Sequence, residues 1–120
     1  MPDVHNFVIQ EHTRSGRVHW DLMLEAGPVL QTYRLDLSPR QLLQQTAIAV
    51  RIFDHPIKFL TYQGSVNAGK GAVKIAESGT YELLHESHNQ KQFRFSGKVL
   101  KGKFALTCIE NDKWQFRSSR

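Results

Sequence analysis

The stretch FVIQEHTRSGRVHWDLMLE, residues 7–25, decides how this chain folds. Side chains alternate across a β-strand, so Trp20, Leu22 and Leu24 share one face and His19 and Asp21 share the other. FVIQEH also reads with period two, and TRSGR supplies a turn between the two runs. The expectation is a hairpin in which His12 leaves the first strand close to where His19 enters the second. Asp21 then lies one pleat beyond His19. Two imidazoles and a carboxylate can occupy three positions around a divalent cation and leave the others for water and substrate. Nitrogen–oxygen ligation of this kind suits Mn, Fe, Zn or Co. The plainer alternative is the polar outer face of a half-exposed strand.

Outward from the hairpin, most of the chain keeps the same period. VLQTYRL follows across AGP, and IAVRIFDHP is a strand ended by Pro56. SPRQLLQQTA is the one helical stretch, with Ser38 as N-cap, Pro39 at the first helical position, and Leu42 and Leu43 following. IKFLTY, GAVKIA, GTYELLH, QFRFSGKV, KFALTCIE and KWQFR are further strands around a glycine-rich link. Short strands punctuated by Gly, Asn and Asp predict a mainly β fold, a small antiparallel β-barrel of about eight strands with one short helix. Without a linker or repeat, residues 1–120 are expected to form a single, monomeric domain.

Sixteen Lys/Arg against eleven Asp/Glu give a net charge of +5, which suits a partner rich in phosphate. No apolar run is long enough to span a bilayer and the first residues lack a leader pattern, so a cytoplasmic protein is expected, away from membranes. The single cysteine, Cys108, cannot form an internal disulfide and reads as a small buried hydrophobe.

VRIFDHP offers a second constellation. In an unbroken strand Arg51, Phe53 and His55 share one face, so a guanidinium and an imidazole could both reach a phosphate. The alternative is an Asp-His-Pro turn beside a solvated arginine. GSVNAGKG, residues 64–71, fits the glycine spacing of a phosphate loop but has Gly71 where Ser or Thr must bind magnesium, and β-like sequence follows it. That motif is rejected; Lys70 in a flexible hairpin could still touch a backbone phosphate. His85 and His88 lie in loop composition, and His5 lies near the terminus. No Ser-His-Asp or Cys-His arrangement is present.

FVIQEH, VHWDLMLE and GPVLQTYRL together resemble the opening of the phosphoesterase domain of bacterial DNA ligase D, and most of all its compact stand-alone members. That family's pattern is F-V-x-Q-x-H, a turn, then L-H-x-D-x-x-L-E. DHPIKFLTYQGSV is similar to its D-H-P-x-x-Y-x-x-F-E-G, and GTYEL and GKVLKGKFALTCI with DKWQF continue the likeness over nearly the whole chain. The resemblance implies a β-barrel that uses a divalent metal, typically Mn2+ with Zn2+ or Co2+ as alternatives, to process nucleic-acid 3′ ends. Such domains remove a 3′-terminal ribonucleoside and then the 3′-phosphate, in DNA or DNA/RNA primer-templates, leaving a hydroxyl for a ligase or polymerase acting in trans. It makes His12, His19 and Asp21 the metal ligands and His55 the phosphate-contacting histidine.

The chain also departs from the family. The segment from His12 to His19 is one residue longer, Met23 stands where an arginine is usual, and the phosphate arginine falls on Ala47. Phe59 replaces a phosphate-binding tyrosine, and Tyr62 takes the neighbouring aromatic position. Arg51 is therefore expected to substitute as the catalytic arginine beside His55, while Arg14, Arg17, Lys70 and Tyr62 are expected to contact nucleic-acid phosphate. Two other function classes remain: a non-catalytic module that binds nucleic-acid ends, and a domain that recruits a ligase or polymerase.

Overall fold

Nine antiparallel strands account for most of residues 3–119, the part of the chain that the computed structural model describes. They are β1 (Val4–Arg14), β2 (Arg17–Ala26), β3 (Val29–Leu35), β4 (Ala47–Pro56), β5 (Gly64–Val66), β6 (Gly71–Glu86), β7 (Gln90–Gly97), β8 (Lys101–Glu110) and β9 (Lys113–Ser118). The sheet runs β1-β2-β3-β4-β9-β8-β7-β6, and pairing of β1 with β6 closes those eight strands into a barrel. The short β5 adds to the first residues of β6. Closure removes the free sheet edges that an open sheet would expose. Among the described residues no helix is long and apolar enough to cross a membrane.

Alternation along β1–β3 sends Phe7, Ile9, Leu22, Leu24, Tyr33 and Leu35 into the barrel, where they meet Phe93, Phe95, Phe104 and Phe116. Edge-to-face and stacked ring pairs fill the centre, such as Phe95 on Phe104 at 5.6 Å and Phe104 on Phe116 at 5.2 Å. The opposite, outward face of β1–β3 carries a second, smaller apolar cluster of Val8, Met23 and Leu30. Trp20 and Cys108 are half-buried and pack against the main core, and Cys108 Sγ lies 3.5 Å from the Asn111 carbonyl.

Three local expectations are corrected. The helix expected over SPRQLLQQTA is a single 3-10 turn, Gln41–Leu43. Its N-cap is Arg40, without a side-chain capping bond, and not Ser38, although Ser38 N donates to Gln41 Oε1 at 2.8 Å and Gln41 N to Ser38 Oγ at 3.4 Å. Leu42 is already fully buried in the core, and Ala47 must enter β4 opposite Phe116, so one turn is all the connection holds. IKFLTY is not a strand: Ile57–Leu60 form a second 3-10 turn, which lays Ile57, Phe59 and Leu60 over the outer apolar cluster. GAVKIA and GTYELLH are one strand, β6, whose register against β1 shifts between Ile9 and Gln10. His5 lies within β1, its ring 5.5 Å from that of Tyr81.

Candidate metal and phosphate site

The site starts from a two-residue turn. Ser15 and Gly16 both have positive φ, 52° and 75°, the backbone of the hairpin turn that matches strand twist. That turn fixes Arg14 opposite Arg17 and therefore His12 opposite His19 and Gln10 opposite Asp21, all on the outward face. His12 Nδ1 lies 2.9 Å from His19 Nε2, and His19 Nε2 lies 3.5 Å from Asp21 Oδ2. One donor atom from each of the three residues falls within a 4.8 Å span, the one such group of three among the described residues. Two ligands at right angles, each roughly 2.1 Å from a cation, stand about 3 Å apart. The His12–His19 pair stands at that separation, and the three donors together could hold a single divalent ion. Burial pushes both histidines below their ordinary pKa, with Arg34 adding to the effect and Asp21 opposing it. The neutral imidazole that results is the form that ligates metal.

His12 is positioned by packing. Its Nε2 is buried without a hydrogen-bond partner, and a Cβ on Gly71 would come within 2.9 Å of it. Metal-ligating histidines usually donate their other ring N–H to an outer partner. Here that second nitrogen has no such acceptor, and the glycine at position 71 leaves room for the ring.

His12, His19 and Asp21 lie in a cleft of about 540 Å³ with Arg14, Arg17 and His55, so six of the sequence candidates share it. His55 Nδ1 is 3.1 Å from the Phe53 carbonyl, which only accepts, so Nδ1 carries a proton and Nε2 is the ring nitrogen left for a ligand.

The face shared by Arg51 and His55 is corrected. The register of β4 against β3 shifts: Thr32 faces Ile52 and Leu30 faces His55, leaving an extra residue in β4 between them. Such a bulge reverses the parity of everything beyond it. Arg51 consequently shares its face with Tyr33, its guanidinium 5.4 Å from that ring centre and 2.7 Å from Asp54 Oδ1, and it does not line the cleft. Tyr62 and Lys70 do not line it either. The Tyr62 hydroxyl donates to the Ser65 carbonyl, and Lys70 is exposed after a turn at Asn67–Gly69. His85 and His88 are exposed and outside the cluster.

Two residues escaped the sequence reading. Arg34, directly opposite Asp21 in β3, places Nε 3.4 Å from Asp21 Oδ1 and lines the cleft with its side chain 45 % exposed. The second hairpin could have located it, because Ala26 pairs with Val29 and every partner pair then sums to 55. Gln10, 1 % exposed, donates Nε2 to the Phe59 and Tyr62 carbonyls at 2.9 and 3.1 Å, fastening the 3-10 turn beside the cleft.

Residues 10–108 match the profile of the DNA Ligase D 3′-phosphoesterase domain. Over 93 % of its length the chain is 32 % identical to the multifunctional non-homologous end joining DNA repair protein LigD of Mycobacterium tuberculosis. It is 30 % identical, over 90 % of its length, to the multifunctional non-homologous end joining protein LigD of Mycolicibacterium smegmatis. To the protein of that name from Pseudomonas aeruginosa it is 25 % identical over 83 % of its length. The chain spans about a sixth, 16 %, of the length of the mycobacterial relatives.

Proposed function

Because the chain belongs to the DNA ligase D 3′-phosphoesterase domain family, we propose that it is a metal-dependent phosphoesterase that trims nucleic-acid 3′ ends during DNA end joining. The observation that carries this reading is the convergence of His12, His19, Asp21, Arg34 and His55 on one cleft. His12, His19 and Asp21 hold the cation, for which Mn2+ is the first choice and Zn2+ or Co2+ the alternatives. When bound, it supplies Lewis-acid polarisation of a phosphoryl oxygen and a more acidic water.

The remaining work belongs to this chain's side chains. Arg34 takes the role that the sequence reading gave to Arg51. Its Nε faces Asp21, and its half-exposed guanidinium grips phosphate oxygens as their charge builds. Hydrolysis breaks the bond between phosphorus and the 3′ oxygen while water adds to phosphorus. His55, with Nδ1–H held by the Phe53 carbonyl, acts in its doubly protonated form: Nε2 gives its proton to that departing oxygen and the ring is left as the neutral Nδ1–H imidazole. Arg14 and Arg17 draw the strand toward the cleft, and Lys70 extends the cationic surface. The products are inorganic phosphate and a 3′-hydroxyl that a ligase or polymerase in trans consumes.

Release of phosphate from a 3′-phosphorylated oligonucleotide with and without Mn2+ tests the proposal. Arg34→Ala should cut turnover by about 10²-fold or more, the usual cost of losing one transition-state donor, and Arg51→Ala should leave it nearly unchanged. The apolar Met23 and Phe59 in the cleft favour one rival, an end-binding module without turnover. Wild-type protein that binds the oligonucleotide but releases no phosphate with Mn2+, Zn2+ or Co2+ would establish that rival.

A further inference from the structure

Phe53 is 74 % exposed, the most open of the exposed large hydrophobic side chains, and it sits on the rim of the phosphate cleft. It occupies the β4 bulge that also turns His55 toward the cleft. Its ring stacks on the His55 imidazole, centroids 4.7 Å apart and planes 12° from parallel. One ring face is thus covered by His55, and the exposure leaves the other to solvent. Behind His55 the aromatic row continues through Phe59 and Tyr62, at 5.7 and 5.5 Å, so the platform is braced from within. A singly exposed aromatic ring is ordinary by itself; this one stacks on His55 and lines a cleft that also holds three arginines.

We propose that Phe53 is a stacking platform for the nucleobase adjoining the bound 3′ phosphate. The inference rests on the phosphoesterase reading for the place of the phosphate and adds what holds the nucleoside. Its support is complementarity: Arg14, Arg17 and Arg34 line the same cleft, and cationic grooves edged by exposed aromatic rings are how proteins hold single-stranded nucleic acid. The phosphate and base of one nucleotide are tethered a few ångströms apart, as are His55 and Phe53. Every base offers a π face, so recognition is indifferent to sequence. A base on Phe53 must have left its duplex stack, so frayed or overhanging 3′ ends bind better than blunt ones.

The test uses full-length protein and a 3′-phosphorylated DNA overhang with 2-aminopurine at its terminal position, read by fluorescence at low salt with Ca2+ in place of Mn2+. Wild-type protein should quench the base on binding, and Phe53→Ala should abolish quenching and weaken binding about 10-fold or more. Phe53→Trp should restore both. With an abasic terminal nucleotide, wild type and Phe53→Ala should bind equally. Equal affinity and equal quenching on the intact base would overturn the proposal, as would a wild type that binds no oligonucleotide. Base-dependent loss in Phe53→Ala by a wild type that releases no phosphate would uphold the platform and remove the phosphoesterase reading.

Discussion

Two carboxylates, Asp21 and Glu77, are each only 3 % exposed, and they use their oxygens in opposite ways. Glu77, on the inward face of β6, accepts four backbone N–H groups: Ser78 and Lys98 on Oε1 at 3.0 and 3.1 Å, Val99 and Leu100 on Oε2 at 2.6 and 2.7 Å. Its acceptor capacity is filled, and it fixes the β7–β8 connection. Asp21, on the outward face of β2, has two contacts, His19 at 3.5 Å and Arg34 at 3.4 Å. Both are too long to satisfy a buried carboxylate fully. A saturated carboxylate serves the fold. One left with spare lone pairs beside two imidazoles has the acceptor capacity that the proposed metal site requires.

The sharpest way to break this comparison is to remove each acid. Glu77→Ala leaves four backbone donors without their acceptor and should lower stability by about 3–5 kcal/mol, read by denaturant unfolding, because charge-assisted bonds are lost and buried N–H groups are left unpaired. Asp21→Asn should barely move the same unfolding curve. It should instead weaken Mn2+ binding by more than about 100-fold in calorimetry, beyond the usual loss of an outer-shell partner. Comparable unfolding curves for the two variants would erase the distinction between them.

A smaller effect is expected from the contact that seats His12. Gly71→Ala puts a Cβ 2.9 Å from His12 Nε2 and 3.2 Å from the Thr13 carbonyl, so the ring must shift. Metal affinity should fall about 10-fold, the scale of a disturbed outer shell, with the barrel still folded by circular dichroism. Unchanged affinity would mean that His12 is not seated through Gly71.

The smallest effect concerns pH. His12 and His19 are held below their ordinary pKa of 6.5, chiefly by burial, so the unfolded chain takes up protons first as pH falls. Their contribution to stability is complete above pH 6.5 and is lost as pH drops through the lowered folded values. Metal-free protein should therefore melt earlier at pH 5 than at pH 7.5, and His19→Gln should flatten that slope, while Mn2+ at neutral pH should raise the melting temperature by binding only the folded state.

The sequence by itself determined the features that follow from alternation and from short turns. The split between Trp20, Leu22 and Leu24 on one face and His19 and Asp21 on the other is local, because neighbouring Cβ atoms must point to opposite sides. The juxtaposition of His12 with His19 needed only a two-residue turn, and the barrel class followed from the number of such strands. Tertiary structure decided everything that depended on a partner strand or a packed surface. The β4 bulge reversed the relation between Arg51 and His55, and no pattern within VRIFDHP marks an inserted residue. Arg34 reached Asp21 through the pairing of β2 with β3, and IKFLTY became a turn because Val8, Met23 and Leu30 offered a surface to cover. A strand's own residues fix which side chains alternate, but a neighbour's hydrogen bonds fix where that alternation is interrupted, and the His55 side of the cleft depends on the interruption.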